Sequence, residues 1–426
     1  ALEGITLPGN AANLPIVSSP NPRRSFAISA SRYFAAQPKT TAAVTGTNGK
    51  TSVAWFTKQL WSKLGKKSAS IGTLGLQTDT EAHSLGKGLT TEDPVTLHRN
   101  LDKLAKNQFE CTILEASSHG LDQHRLDGVK FSAGAFTNLS HEHLDYHKNF
   151  DSYRTAKRRL FSELLNKDMG AVLNADTEEF LNWSDLARSR SLNLISFGRH
   201  GKDLKLLNST PCYSGQDLKF EAWGTEYNRH IPVFGEFQAE NILCALGLVV
   251  ACGETPEAAI EATEALSPPP GRLELVARIL NGSSIFVDFA HTPQALSTVL
   301  RELRSQTSGK IILVFGCGGE RDQEKRSQMG LIADRMADEI IITDDNPRNE
   351  KASSIRKDIL SNCQRAGEIS DRAEAIKAAI SMLTPNDSLL IAGKGHESGQ
   401  IIGDAILPFN DRAMILDFLK ELRGQG

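Results

Sequence analysis

The chain of 426 residues is too long for a single ordinary hydrophobic core, and we expect two or three domains. Its 40% hydrophobic and 23% charged residues are typical of a globular protein, and a net charge of -3 gives no electrostatic reason to expect binding to nucleic acid. No apolar run approaches the roughly 18 to 20 residues that a membrane span needs, so we expect no membrane insertion.

The start of the chain and its cysteines indicate a cellular compartment. The first residues contain no basic segment followed by an apolar one, so we expect no secretory signal. No two of the six cysteines have the C-x-x-C spacing of a zinc or redox site, and several lie in apolar segments. We therefore predict a cytoplasmic protein with reduced thiols.

Apolar strands alternate with helices between residues 40 and 266, which predicts a mostly parallel α/β sheet. The predicted strands are 40–46, 67–73, 111–117, 131–138 and 170–176. The predicted helices are 51–65, 95–108, 149–165, 237–253 and 255–266. The more polar segment 200–235 predicts a short excursion into β-structure.

The stretch SPPPGR, residues 267–272, is the best linker candidate, because consecutive prolines cannot continue a helix. The alternation of strands and helices then restarts, which predicts a second α/β domain with a doubly wound, Rossmann-like sheet. Its predicted strands are 283–290, 310–318, 338–345 and 387–395. We expect a central domain at 41–270, a second at 271–426, and a segment too short for a domain at 1–40.

A phosphate-binding loop is predicted where the first strand meets the first helix of the central domain, which makes that domain P-loop-like. The loop is Gly46-Thr47-Asn48-Gly49-Lys50-Thr51, followed by Ser52. Its glycines permit a tight turn, and the helix N-terminus adds a partial positive charge. Lys50 can neutralise nucleotide phosphates, and the Thr51 hydroxyl can ligate Mg²⁺. The match to G-x-x-x-x-G-K-[ST] is incomplete, because Val44 stands at the first glycine position.

Acidic and histidine residues follow two later strands. Glu115 ends one strand, and the segment NLSHEHLDYH (138–147) follows the next. An H-E-x-x-H zinc motif would need histidine where Asp145 stands, so we favour a magnesium site built from one glutamate and one histidine beside nucleotide phosphates. Lys157 lies on a helix with a basic face, and composition alone favours a solvated lysine there.

These motifs and several others occur in one order and together strongly resemble the Mur ligases, the ATP-dependent amide-forming ligases of peptidoglycan precursor synthesis. The resemblance covers residues 41–426. The motifs are TGTNGKTS, EASSHGL with QHR, NLSHEHLDYH, TAKRRLF, GEFQAEN, PGRLE, VDFAHTP, FGCGGERD, DNPR and GKGHE. Within the family, DNPR indicates the members that add meso-diaminopimelate to UDP-MurNAc-L-Ala-D-Glu.

The resemblance implies a role for each matching residue. Gly46 to Ser52 would bind ATP, and Thr51, Glu115 and His143 would ligate Mg²⁺. Lys157 matches the lysine that is carbamylated in the family, and its carbamate would support the metal. Lys50, Lys157 and His143 would be the catalytic residues. The remaining ATP contacts would be Asn241, Arg272, Asp288 and His291.

The resemblance also implies two sets of substrate contacts. The UDP-MurNAc-dipeptide would be bound by Thr90, Thr91, Ser117, Gln123 and Arg125. The incoming diamino acid would be bound by Arg321, Asp345, Asn346, Arg348, Gly393 and Glu397. On this interpretation the protein is a monomer whose partners are small-molecule substrates.

Two departures from the family pattern and three rival interpretations remain at this point. Phe289 stands where the family commonly has Tyr, and residues 1–40 match only the remnant of a small uridine-binding domain. An L-lysine-adding ligase, a folylpolyglutamate synthase and a nucleotide-switch hydrolase share the phosphate loop. The last would hydrolyse nucleotide without an amino acid. DNPR and GKGHE argue against the folate enzyme.

Overall fold

The structure is a computed structural model that describes residues 17–79, 82–83, 89–140 and 144–424. The chain divides into two compact units. The first comprises the described residues up to Ser209 with Leu218–Ile231 and Phe237–Leu266, and the second comprises Thr210–Asp217, Pro232–Glu236 and the chain from Ser267 onward. Across these described ranges no helix combines the length and apolar character needed to cross a bilayer.

The chain up to Ala265 contains nine helices and eleven strands among its described residues. The helices are α1 (Pro22–Tyr33), α2 (Lys50–Lys63), α3 (Pro94–Lys106), α4 (Ser118–Asp122), α5 (Leu144–His147), α6 (Phe150–Arg159), α7 (Phe180–Ser189), α8 (Glu236–Ala251) and α9 (Pro256–Glu261). The strands are β1 (Thr40–Thr45), β2 (Ser68–Gly72), β3 (Gly75–Gln77), β4 (Ala82–His83), β5 (Cys111–Glu115), β6 (Ala133–Phe136), β7 (Gly170–Asn174), β8 (Asn193–Gly198), β9 (Leu204–Cys212), β10 (Gly215–Ala222) and β11 (Thr225–Ile231).

These strands form one sheet in the order β11-β10-β9-β8-β7-β6-β1-β5-β2-β3-β4. The strands from β8 to β2 in this order are parallel, whereas β3 and β4 pair antiparallel at one edge. The parallel strands at the centre are buried along almost their whole length, as expected where helices cover both faces of the sheet. The chain crosses from β1 to β2 in one direction along the sheet, and from β5 to β6 in the opposite direction. Ligands of such sheets bind at the carboxyl edge beside this reversal.

Two predicted helices end differently from the sequence-based expectation. The helix predicted at 149–165 begins as α6, but its end is a π-helical turn (Leu160–Leu164) closed by the amide of Leu165 donating to the Leu160 carbonyl at 3.0 Å. The helix predicted at 255–266 is α9 followed by a 3₁₀ turn (Ala262–Ala265). The predicted β excursion at 200–235 is confirmed as strands β9 to β11.

The chain from Glu274 onward forms five helices and eight strands among its described residues. They are β12 (Glu274–Arg278), β13 (Ser284–Asp288), α10 (Pro293–Gln306), β14 (Ile311–Phe315), α11 (Glu324–Met336), β15 (Glu339–Ile342), α12 (Ala352–Leu360), β16 (Gly367–Glu368), α13 (Arg372–Ser381), β17 (Ser388–Ala392), β18 (Gly399–Ile402), β19 (Ala405–Pro408) and α14 (Asp411–Gly424).

A six-stranded sheet with the order β12-β13-β17-β14-β15-β16 organises this region. All its strands are parallel except β12, which pairs antiparallel with β13 at the edge. Helix α11 contacts both α10 and α12, and α13 contacts α14, so the helices form two groups. Because parallel crossovers are right-handed, these connections place the two groups on opposite faces of the sheet, which confirms the doubly wound fold.

The predicted domain boundaries at residues 40/41 and 270/271 stay predictions. The two compact units meet in the chain after Leu266, and Thr210–Asp217 and Pro232–Glu236 belong to the second unit.

Candidate active site

The phosphate loop connects β1 to α2 and depends on two glycines. Gly49 has φ +88° and caps α2 in the left-handed region, which favours glycine. A Cβ atom on Gly49 would overlap the Asn241 side chain, and one on Gly46 would overlap the Thr137 hydroxyl. Asn241, predicted from another part of the sequence, therefore lies against the loop. Ser52 is buried in the first turn of α2.

The segment after β6 fixes the shape of the loop. The amides of Thr47 and Asn48 donate to the carbonyl and the side-chain oxygen of Asn138, at 2.8 and 2.9 Å. The Thr137 hydroxyl donates to the Asn48 carbonyl at 2.6 Å. Because the amides of Thr47 and Asn48 already donate to Asn138, they hold the loop in place and are not available to a ligand. The first N–H groups of α2 are therefore the better candidates for binding a phosphate.

Two lysines converge on one carbonyl oxygen of the loop. The Lys50 ammonium donates to the carbonyls of Gly46 and Thr47 at 2.8 and 2.7 Å, and the Lys157 ammonium donates to the same Gly46 oxygen at 2.7 Å. Lys157 is only 1% exposed, and its Nζ lies 4.5 Å from the centre of the Tyr153 ring. The interpretation of Lys157 as a solvated lysine is therefore wrong.

Glu115, at the carboxyl end of β5, is the acceptor for three neighbouring donors. Its carboxylate accepts from the Thr51 hydroxyl at 3.0 Å, from the Thr73 amide at 2.9 Å and from the Thr73 hydroxyl at 3.0 Å. The Thr73 hydroxyl also lies 3.2 Å from that of Thr90. A Cβ atom on Gly72 would overlap this carboxylate. The arrangement gathers hydroxyl and carboxylate oxygens beside the phosphate loop. The third predicted metal ligand, His143, lies outside the described residues.

A second polar cluster surrounds Thr91. Its hydroxyl donates to the Glu115 carbonyl at 2.7 Å and lies 2.9 Å from the Ser117 amide, which donates to it. The Arg125 guanidinium donates to the Thr91 carbonyl at 2.7 Å and to the Gln123 side-chain oxygen at 2.7 Å. The five predicted dipeptide contacts therefore lie around the carboxyl end of β5, with Thr90 linked to this group through Thr73.

Three predicted nucleotide contacts lie at the start of the second sheet. The Asp288 carboxylate accepts from the amides of Leu273 and Ala290, both at 2.6 Å, and burial raises its pKa to about 6 despite the nearby Arg272 charge. The Arg272 guanidinium stacks 4.4 Å from the centre of the Phe289 ring. An aromatic ring is sufficient for this contact, so Phe289 provides it in place of the common Tyr. The His291 ring nitrogen lies 2.8 Å from the Phe289 carbonyl.

The carboxyl ends of β15 and β17 bring four charged or polar side chains together. Lys394 is fully buried and donates to the Asn346 oxygen and to Glu397, both at 2.9 Å, while the Asn346 amide donates to the same Glu397 oxygen at 2.9 Å. Burial disfavours ionisation of Glu397, yet Lys394 and Asn346 together hold its pKa below the ordinary value. Gly393, at φ +110°, leaves room for the Asp345 carboxylate, and burial raises the pKa of Asp345.

Arg348 has an unusual backbone and a directed side chain. Its φ of +53° is rare for a residue other than glycine. The conformation is held because its amide donates to the Ile401 carbonyl at 3.0 Å and its carbonyl accepts from the Gly403 amide at 2.8 Å. Its Nη1 donates to the Gly319 carbonyl at 2.7 Å. Within the described ranges, Nε and Nη2 donate to no protein atom, and Arg321 on the preceding loop is exposed.

Comparison with known proteins decides the family. Residues 44–249 match the Mur ligase middle domain, and residues 271–395 match the Mur ligase, glutamate ligase domain. A relative from Caulobacter vibrioides named UDP-N-acetylmuramoyl-L-alanyl-D-glutamate–2,6-diaminopimelate ligase is 46% identical over 411 residues, which cover 96% of this chain and 85% of the relative. The chain belongs to the Mur ligase family.

Solved structures agree with membership of the Mur ligases. A structure of a ligase with the same name as the Caulobacter relative has a TM-score of 0.69 at 30% identity and covers 96% of this chain and 84% of its own. A Mycobacterium tuberculosis folylpolyglutamate synthase complexed with ADP and AMPPCP has a TM-score of 0.70 at 18% identity, with 87% and 92% covered. The second likeness concerns the fold alone.

Sequence reasoning missed two residues of these clusters in this Mur ligase. Thr73 directly follows β2 at the carboxyl edge of the sheet, and that position could have drawn attention to its hydroxyl. Lys394 lies between two glycines of the GKGHE motif, but nothing in the motif shows that its ammonium is buried against Glu397.

Proposed function

We propose that this chain is an ATP-dependent ligase that joins meso-2,6-diaminopimelate to the γ-carboxylate of D-Glu in UDP-MurNAc-L-Ala-D-Glu. The relative that is 46% identical over nearly the whole chain carries the name of this activity. The observation on the protein itself that best supports the proposal is the Arg348 guanidinium, whose Nε and Nη2 donate to no protein atom within the described ranges.

The reaction requires activation of a carboxylate, since its charge and resonance make it a poor electrophile. An oxygen of the D-Glu γ-carboxylate attacks the γ-phosphorus of ATP, and ADP leaves. The amine nitrogen of diaminopimelate then attacks the carbonyl carbon of the acyl phosphate. The tetrahedral intermediate loses a proton from nitrogen and expels inorganic phosphate, which leaves the amide.

The groups at the phosphate loop suit the nucleotide end of this reaction. The N-terminus of α2 offers N–H groups and a positive dipole to phosphate, and Lys50 is a cation held at the loop. The oxygens of Thr51 and Glu115 are hard ligands of the kind that Mg²⁺ prefers, and they lie 3.0 Å apart. Bound Mg²⁺ would offset negative charge as the phosphoryl group is transferred. His143 stays a predicted ligand.

The placement of Lys157 supports its carbamylation. Two ammonium groups, those of Lys50 and Lys157, donate to the same Gly46 oxygen, and one of them is almost fully buried. Two positive charges this close repel each other more strongly where water is excluded, and each lowers the tendency of the other to stay protonated. Reaction of the neutral Lys157 amine with CO₂ would replace one of the two cations by an anion and remove that repulsion. The carbamate would then be an additional oxygen donor beside Mg²⁺.

The cluster around Thr91 is a reasonable site for the dipeptide substrate. Arg125 is half-buried, and its charge can attract a carboxylate of UDP-MurNAc-L-Ala-D-Glu. Burial lowers the pKa of the Arg125 guanidinium, but an arginine remains charged at neutral pH. Ser117 and Gln123 add hydrogen-bonding groups at the same edge of the sheet.

The second unit supports the choice of diamino acid. Meso-diaminopimelate differs from lysine by a second carboxylate, and the Nε and Nη2 groups of Arg348 can bind a carboxylate with two parallel hydrogen bonds. Glu397 accepts from Lys394 and Asn346 through Oε2, while Oε1 accepts no hydrogen bond from the described residues. That oxygen could accept from the distal ammonium. Asp345, Gly393 and Arg321 stay predicted contacts.

Phosphate release tests the proposal. The protein should release phosphate from ATP when UDP-MurNAc-L-Ala-D-Glu and meso-diaminopimelate are both present, and much more slowly when L-lysine replaces diaminopimelate. A preference for L-lysine would favour the lysine-adding ligase, and stimulation by folate would favour a folylpolyglutamate synthase. Release without any amino acid would favour a nucleotide-switch hydrolase. The monomeric state and cytoplasmic location stay predictions.

A further inference from the structure

An ion pair between a buried arginine and a partly exposed glutamate connects the loops that carry Arg321 and Arg348. Arg326, on α11, has no exposed surface, and its guanidinium donates to both oxygens of Glu350 at 2.6 and 2.8 Å. It also donates to Asp358 at 2.9 Å. The Arg326 hydrogen bonds hold the pKa of Glu350 below its usual range, although burial opposes this. Two parallel hydrogen bonds of this kind fix both the distance between the two side chains and their relative orientation.

The pair connects two loops. Glu350 belongs to the loop after β15, and its Oε2 also accepts from the Glu320 amide at 3.0 Å in the loop after β14. Arg326 reaches the Gly318 carbonyl of that second loop at 3.4 Å. The carboxylate of Glu350 and the guanidinium of Arg326 therefore form a clamp between α11 and both loops.

The same loops meet at the residues proposed to bind the diamino acid. The Gly319 amide donates to the Asn346 carbonyl at 2.9 Å, and Arg348 Nη1 donates to the Gly319 carbonyl at 2.7 Å. A Cβ atom on Gly318 would lie 2.9 Å from Arg348 Nη1. The direction of the Arg348 guanidinium thus depends on where the loop after β14 lies, and the clamp holds that loop.

We propose that Arg326 and Glu350 are positioning residues that orient Arg348 and thereby determine the selectivity of the ligase for an amino acid with a second carboxylate. This inference rests on the proposed function and deepens it. Neither residue needs to touch the substrate, because the pair acts by holding the Gly319 carbonyl against Arg348. A displacement of about 1 Å at a positioning group is sufficient to cost as much as a hundredfold in rate.

Glu350→Gln tests the clamp, because it keeps the shape of the side chain while removing the charge that pairs with Arg326. We expect the KM for meso-diaminopimelate to rise roughly ten- to a hundredfold, with the KM for ATP within about twofold of wild type. Asp334→Asn is the matched control: Asp334 lies on α11, as Arg326 does, and pairs with Arg365 at 2.9 Å. Its side-chain partners among the described residues are Arg365 and Cys363, and neither belongs to the two loops. The control should keep the wild-type KM for the diamino acid.

A double-variant comparison separates positioning from general destabilisation. If the clamp acts through Arg348, Glu350→Gln should change the KM for diaminopimelate little in an Arg348→Ala background. Equal effects in both backgrounds, or an unchanged KM in Glu350→Gln with wild-type Arg348, would overturn the inference. If Glu350→Gln does not fold, Glu350→Asp takes its place. If the wild-type protein shows no preference for diaminopimelate over L-lysine, the proposed function fails together with this inference. If the wild type shows the preference but the variants do not behave as expected, only this inference fails.

Discussion

The two polar sites of this protein are built in opposite ways. At the phosphate loop, Lys50, Lys157, Thr51 and Glu115 are bound to one another or to the loop backbone, and Lys157 and Glu115 are almost fully buried. In the second unit, Arg348 is half-buried on a loop with a left-handed backbone. The first arrangement pre-organises groups for a charged transition state, whereas the second offers unused donors to a substrate. Substitutions at the phosphate loop should therefore mainly affect kcat, whereas substitutions at Arg348 should mainly affect the KM for the amino acid.

The largest effect is expected at Lys157. Lys157→Ala should lower kcat by about a thousandfold, because it removes a charged group from the most buried part of the site. If the group is carbamylated, a short carboxylic acid in the buffer should restore part of the activity by supplying the missing anion. Arg158→Ala, which changes an exposed neighbour on the same helix, is the control and should retain activity. Full activity in unrescued Lys157→Ala would remove the lysine from the mechanism.

Arg348 is the residue of the second unit at which we expect a substitution to weaken substrate binding. Arg348→Ala should raise the KM for meso-diaminopimelate roughly a hundredfold, since loss of one partner of an enclosed charge pair costs about 2 to 5 kcal/mol. The KM for ATP should remain nearly unchanged. Arg348→Lys keeps the charge but loses the planar fork, so it should recover little of the loss. If Arg348→Ala keeps the wild-type preference for diaminopimelate over lysine, Arg321 becomes the next candidate.

Glu115 and Thr51 should affect the magnesium requirement. Glu115→Ala removes a charge and Thr51→Ala removes one neutral oxygen, so both should raise the Mg²⁺ concentration for half-maximal activity, the first by roughly ten- to a hundredfold. Thr51→Ser keeps the hydroxyl and should behave as wild type. Magnesium titrations of all three variants and the wild type decide the matter, and unchanged curves for both alanine variants would refute the assignment.

The smallest effect concerns stability and pH at Asp288. Burial raises its pKa to about 6 in the folded protein from an ordinary 3.8, so the folded state binds the proton more tightly. This contribution to the free energy of unfolding is complete below about pH 3.8 and is lost as the pH rises through 6. Relative to Asp288→Asn, the wild type should lose on the order of 2 to 3 kcal/mol between pH 4 and 7. Urea unfolding followed by circular dichroism measures this difference, and a constant value would contradict it.

The α/β class, the doubly wound second sheet and the family could all be predicted from the amino-acid sequence. These follow from local signals: apolar runs of strand length, helical periodicity, and short motifs whose order along the chain is specific. The phosphate loop could be predicted because its chemistry lies within seven consecutive residues, Gly46 to Ser52.

The contacts between side chains that are far apart in the sequence depend on the three-dimensional fold. The order β6-β1-β5-β2 places Lys157 at the Gly46 carbonyl and Thr73 at Glu115, although these partners are 111 and 42 residues apart. Arg326 looks like an ordinary basic residue of a helix until the crossovers place Glu350 against it. Local propensity cannot encode such pairs, because their distances depend on strand order and on the handedness of the connections.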